Sequence, residues 1–221
     1  MCLEWPDLIR LAVERITQIA NDAIDSRGEF HCVLSGGETP REIYRQLRDI
    51  EMNWPVWQFW FGDERCLAEG DSGRNSTMVE RALLNHLPIS DEQIWRIPGE
   101  LGAERAAREY DAMVTAAPVF DLVMLGLGED GHVASLFPGN DLGDTASSPD
   151  VMAVFNAPKL PRQRVSLTIN RINRSRRILF VVAGTGKQRA MQALRRKQDI
   201  PASAIRDHPE TTELLFSERC R

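Results

Sequence analysis

The 221-residue chain has no apolar run long enough to cross a bilayer, which excludes a helical membrane protein. Its opening, MCLEWPDLIRLAVE, carries Glu4 and Asp7 where an export signal needs basic residues and then an apolar stretch. A cytoplasmic protein is the expectation. Cysteine is scarce: Cys2, Cys32, Cys66 and Cys220 form no C-x-x-C pair, which excludes a disulfide framework and a zinc knuckle and predicts reduced thiols. Histidine is scarce too. His31, His86, His132 and His208 have no ligand spacing, and no H-E-x-x-H occurs, so no metal site is expected. There is no G-x-x-x-x-G-K-[ST] loop for a triphosphate and no G-x-S-x-G elbow for a serine hydrolase. Positive charge is in deficit, with 27 Lys and Arg against 32 Asp and Glu. A net charge of −5 gives the chain no electrostatic reason to hold nucleic acid or anionic lipid. Any phosphate it binds requires positive charge gathered locally.

What remains is an ordinary globular composition, without repeats or low-complexity segments, long enough for a substantial core. Strand-like and helix-like runs alternate throughout, which predicts an α/β fold built on a mainly parallel sheet flanked by helices, as one domain over residues 1–221. Residues 6–27 place Leu8, Ala12, Ile16, Ile19 and Ala23 on one helical face, stopped by Gly28. Further helices are predicted over 40–50, opened by Pro40, and over 76–87, 102–116 and 187–196. Strands are predicted at 30–34, 56–61, 151–157, 164–169, 177–184 and 213–216, and most strongly at 120–128, where FDLVMLGLG reads as a buried central strand.

Several strands end in polar, glycine-rich turns: LSGGETP, FGDERC, GLGEDGH and VVAGTGK. Ligands of open α/β sheets bind outside the carboxyl ends of the strands, so these turns are expected to share one crevice. In LSGGETPRE, Ser35, Gly36 and Gly37 lead into a helix whose first N–H groups suit a phosphate. Thr39 with Glu42 reads as a capping box, and an ordinary capped turn is the competing explanation. In FGDERC, Asp63, Glu64 and Arg65 directly follow an apolar strand, so at least one is expected to face the crevice. Asn75 and Ser76 precede a helical pattern and read as either a helix cap or a ligand contact.

GLGEDGHVASLFPG is the most informative segment. Gly126, Gly128 and Gly131 crowd a turn holding Asp130 and His132, followed by an apolar piece expected to be helical. A histidine suits base chemistry near neutral pH, and a neighbouring carboxylate can fix its tautomer. The alternative is a histidine bonded within its own loop. Arg164 and Lys187 sit at polar strand ends and suit a phosphate. The run RINRSRR (171–177) reads as a solvated connector.

These segments, with RVSLT and the tail PASAI, resemble the 6-phosphogluconolactonase family over nearly the whole length. Its wider superfamily includes glucosamine-6-phosphate deaminases, whose histidine segment looks like DGHIAFNEPG; here it is DGHVASLFPG, the lactonase form. The resemblance implies a Rossmann-like fold without cofactor, and a 6-phosphorylated sugar lactone as substrate in the pentose phosphate pathway. It implies His132 as general base, with Asp130 or Asp63 orienting it. It implies that Ser35, Gly36, Gly37, Thr39, Arg164 and Lys187 handle phosphate. Gly128, Arg65 and Asn75 match further motif positions. SGRNSTM (72–78) departs from the shorter form of many relatives. The alternatives are an amino-sugar-phosphate isomerase/deaminase and a non-catalytic sugar-phosphate-binding domain. The latter is disfavoured because no basic DNA-binding unit accompanies the α/β pattern. A monomer or weak homodimer is the expected assembly.

Overall fold

The computed structural model describes residues 2–218. Helix α1 (Trp5–Arg27) ends at Gly28, whose φ of 83° lets its N–H close onto the Ile24 carbonyl at 2.8 Å. Its Leu8, Ala12, Ile16 and Ala23 are buried as the periodicity predicts. The chain then alternates through β1 (Phe30–Leu34), α2 (Glu38–Leu47), β2 (Trp57–Phe61), β3 (Asp63–Arg65), α3 (Asn75–Ala82), β4 (Ile94–Trp95), α4 (Ala103–Ala116), β5 (Leu122–Leu125), β6 (Val151–Val154), β7 (Arg164–Leu167), α5 (Ile169–Asn173), β8 (Arg177–Ala183), α6 (Gln188–Arg195) and β9 (Thr212–Ser217).

Six strands form one parallel sheet in the order β4-β2-β1-β5-β8-β9, so the α/β reading holds. The predicted strands at 151–157 and 164–169 lie elsewhere. As β6 and β7 they pair antiparallel with each other, and β7 pairs with β3. Gly62 is the joint between the sheets. Its N–H binds the Leu34 carbonyl at 3.0 Å in the main sheet, and its carbonyl receives Leu167 N–H at 2.8 Å from the ribbon. Periodicity reports that a strand exists, not which neighbour it pairs with.

Other expectations shift for local reasons. The predicted helix 76–87 is α3 followed by a 3-10 turn at Leu84–His86. The apolar piece after His132 is not helical. It is a tight turn with a bridge between Val133 and Leu136, and its apolar side chains enter the core. The arginine run at 171–177 is only partly solvated: Arg171 is buried, its guanidinium 4.0 Å from the centre of the Phe120 ring.

The two tyrosines of the chain do the same job at adjacent strand ends. Tyr44, on α2, accepts Ser35 N–H and donates to the Ser35 carbonyl, both at 2.9 Å. Tyr110, on α4, accepts Phe61 N–H at 2.9 Å and donates to the Phe61 carbonyl at 3.1 Å. Where a parallel sheet ends, backbone groups lose their ladder partners, and a buried one needs a substitute. Each phenol satisfies a donor and an acceptor at once, and burial pushes both hydroxyls far above the ordinary tyrosine range. Tyr110→Phe leaves both Phe61 groups unpaired and should lower stability by about 1–3 kcal/mol. Denaturant unfolding measures this, and an unchanged midpoint would mean that water replaces the phenol.

Candidate active site

The strand-end turns converge on one cleft of about 670 Å³. Its lining includes Ser35, Gly36, Gly37 and Thr39 after β1, and Asp63 and Arg65 on β3. Asn75 joins from α3, Gly128, Asp130 and His132 from the turn after β5, Arg164 from β7 and Lys187 from the turn after β8. Every site residue expected from the sequence therefore faces the same space.

The FGDERC segment divides by strand alternation. Asp63 and Arg65 face the cleft, while Glu64 turns inward and is fully buried. Glu64 receives the N–H groups of Arg65 (2.8 Å), Asn75 (2.7 Å) and Ser76 (2.8 Å), with the Arg74 guanidinium at 3.4 Å. A carboxylate at the first turn of α3 meets orphan donors and the positive helix end together. The sequence showed three consecutive charges but not that the middle one organises the site.

Anchored in this way, Asn75 opens α3 rather than preceding it, with Arg74 at the N-cap. Its amide donates to the Asp63 carbonyl at 2.9 Å and to Asp63 Oδ1 at 3.0 Å. The other Asp63 oxygen takes the Ser135 hydroxyl at 2.6 Å, and Ser135 N–H binds the Ser166 hydroxyl at 3.2 Å. Asp63 thus braces the His132 loop against β3. Ser135 is fully buried as part of this brace.

His132 Nδ1 lies 2.5 Å from Asp130 Oδ1, so the carboxylate takes that N–H and leaves Nε2 as the basic nitrogen. Of the two carboxylates considered, Asp130 orients the ring. Burial pushes the Asp130 carboxyl up, but the charge and hydrogen bonds of His132 outweigh it, and the group sits below the usual carboxylate range. Gly128 makes this pair possible: a Cβ there would lie 2.0 Å from His132 Nδ1 and 2.6 Å from Asp130 Oδ1. Phe137 packs on the imidazole with centroids 4.7 Å apart, and the Arg164 guanidinium lies 5.7 Å from the same Phe137 ring.

The anion-suited turn differs in detail from the expected capping box. Helix α2 starts at Glu38 after Gly37, with no side-chain cap, and Glu42 pairs with Arg45 at 2.7 Å instead. Thr39 lies within the first turn. Gly37 adopts φ 107°, which a side chain would strain, and a Cβ on Gly36 would fall 1.9 Å from Asn75 Oδ1. The first N–H groups of α2 are left without helical partners, at the cleft.

Four cations line the cleft: Arg65, Arg164, Lys187 and Lys159, the last not singled out from the sequence. Arg65 and Arg164 are cross-strand partners on β3 and β7. Burial lowers the Arg164 pKa, Asp63 opposes that, and the like charge of Arg65 adds to it. Arg65 Nε is buried without a partner. Lys187 approaches from the β8 side, so β1 and its turn lie between the cations. Among the described residues no group of three or more His, Cys, Asp or Glu is placed to hold a metal, and no helix is long and apolar enough to cross a membrane. Cys2, Cys32 and Cys66 are free thiols; Cys220 lies outside the described residues.

Comparison with known proteins identifies the family. Residues 5–215 match the family described as glucosamine-6-phosphate isomerases/6-phosphogluconolactonase. A 6-phosphogluconolactonase of Mycobacterium leprae is 34% identical over 200 residues, covering 84% of this chain and 81% of that one. One from Streptomyces coelicolor is 35% identical over 228 residues, covering 93% and 86%. The solved 6-phosphogluconolactonase of Thermotoga maritima superposes with a TM-score of 0.86 at 26% identity, covering 96% and 95%. A monomeric glucosamine-6-phosphate deaminase superposes with a TM-score of 0.83 at 22% identity, so the fold alone does not separate the two activities. The chain belongs to the glucosamine-6-phosphate isomerase/6-phosphogluconolactonase family, and within it to the 6-phosphogluconolactonases.

Proposed function

We propose that His132, held by Asp130, is the general base that activates water in this enzyme. The reaction is hydrolysis of 6-phospho-D-glucono-1,5-lactone to 6-phosphogluconate, a step of the oxidative pentose phosphate pathway. The observation that carries the mechanism is the His132–Asp130 pair, set in a cleft that also holds cations and free helix N–H groups. Water attacks the lactone carbonyl as its proton passes to His132 Nε2. The tetrahedral oxyanion collapses, the bond from the carbonyl carbon to the ring oxygen breaks, and that oxygen takes up a proton. Asp130 supports the imidazolium formed between these steps. Arg65 and the glycine-rich backbone supply donors for the oxyanion. Arg164, Lys187 and the Ser35–Thr39 turn hold the 6-phosphate, a dianion that their opposed approach can grip from two sides. Asp63 completes the catalytic group as the brace of the His132 loop, alongside Asn75 and Gly128. The chemistry requires no cofactor. The enzyme is read as cytoplasmic, in keeping with its free thiols, and as a monomer or weak homodimer.

His132→Asn keeps a hydrogen-bonding side chain but cannot take up a proton near neutrality. It should lower kcat by roughly two to four orders of magnitude with the fold intact. Initial rates on freshly generated lactone, corrected for its spontaneous opening, provide the measurement. A folded variant with near-normal kcat would remove His132 from the mechanism.

Because Asp130 is held below the usual carboxylate range, it stays ionised at neutral and mildly acidic pH. Asp130 therefore gains no proton over that interval and keeps accepting the His132 N–H. The logarithm of kcat at saturating substrate should fall with falling pH at unit slope. A slope of two would show that both groups titrate together.

Lys187→Ala removes a charge-assisted contact to the phosphate. KM should rise by roughly tenfold to a hundredfold, with kcat changed far less. Unchanged kinetics on the phosphorylated lactone would take Lys187 out of the phosphate site.

A further inference from the structure

A second cleft, of about 550 Å³, opens at the amino ends of the same strands. It is formed by the last turns of α1 and by the residues that lead into β5, β8 and β9. The seven residues of β8 separate it from the catalytic end, a span of about 23 Å at roughly 3.3 Å per residue. Its walls carry Arg27, Arg174, Arg176, Arg177 and Arg206 against Asp22, Asp121 and Glu210. Five positive and three negative charges leave a local excess of two, in a chain whose net charge is −5.

Three of the arginines already have a carboxylate partner. Arg27 and Arg176 share the buried Asp121 at 2.7 Å and 3.3 Å, and Arg174 pairs with Asp150. Arg177 and Arg206 have no ion pair among the described residues. Arg206 donates one terminal nitrogen to the carbonyls of Ser175 and Arg176, and its Nε is buried with no partner. Burial, and then the like charge of Arg177, pull the Arg206 pKa below its ordinary value. Asp22 and Glu210 are exposed, where water and salt screen them. A guanidinium partly removed from water, beside a like charge and without a counter-anion, is an unfavourable arrangement that a bound anion relieves.

We propose that this cleft binds a small phosphorylated metabolite carrying two or more negative charges. Guanidinium forks match phosphate oxygens, and the volume suits a ligand of metabolite size. Among the described residues the only apolar lining ones are Ile19 and Val119, with no aromatic ring to stack on a nucleobase. The ligand class is therefore a sugar bisphosphate or similar compact polyanion rather than a nucleotide.

The test is calorimetric titration of the whole protein at low ionic strength with inorganic pyrophosphate and with inorganic orthophosphate. It compares the wild type, Lys187→Ala, and the double variant Arg176→Gln/Arg177→Gln, both of whose side chains are exposed. The wild type should show a pyrophosphate site that survives Lys187→Ala and binds orthophosphate more weakly. The double variant should weaken that site by roughly tenfold or more, with lactone hydrolysis unchanged in kcat and KM. The proposal is overturned if the only site found disappears with Lys187→Ala. It is equally overturned if the double variant binds pyrophosphate as the wild type does.

Discussion

The catalytic geometry depends on one buried carboxylate. Glu64 has no access to water, yet it gathers three backbone N–H groups and one guanidinium. A buried charge is tolerable only when its hydrogen bonds are made, and here the start of α3 makes them. The consequence runs outward. With α3 fixed, the Asn75 amide reaches Asp63, Asp63 reaches Ser135, and Ser135 ties down the loop that carries His132. His132 is part-exposed, but the chain of contacts behind it ends in a buried ion pair between Glu64 and Arg74. This is how a loop residue acquires the positional definition that proton transfer needs.

Close approach is the second constraint. Gly36 leaves room for the Asn75 amide, and Gly128 leaves room for the paired His132 and Asp130 side chains. Neither position tolerates a Cβ without displacing a functional group. The tyrosine clips on Ser35 and Phe61 hold the strand ends at which the chain turns toward these positions. Backbone and side chains therefore fill the mouth of the sheet without room for a Cβ at either glycine.

An acidic protein that handles a phosphate must concentrate its cations. This chain does so at both ends of the parallel strands. At the carboxyl ends, Arg65 and Arg164 face each other across a ribbon, and Lys187 approaches from the far side of β1. At the amino ends an arginine-rich cleft holds two guanidiniums, Arg177 and Arg206, without carboxylate partners among the described residues. The repulsion within each group disfavours the empty state and is relieved by an anion, which is a physical basis for selectivity toward charged ligands.

The alternation of apolar runs and helical periodicities determined the α/β class. The glycine-rich words at strand ends determined which residues would meet, and all twelve expected site residues line the cleft because parallel strands deliver their carboxyl ends to one edge. Local pattern also misled in places. Thr39 and Glu42 form a capping box in spacing only, because Gly37 turns the chain two residues earlier. The apolar piece after His132 is held by core contacts and a bridge rather than by helical hydrogen bonds. Tertiary structure alone decided that β3, β6 and β7 leave the main sheet, that Asp130 rather than Asp63 orients His132, and that Glu64 turns inward. The reason is common to all three. Strand partners, hydrogen-bond acceptors and burial are relations between residues far apart in the chain, set by which elements pack together, whereas sequence pattern records only what each segment can do by itself.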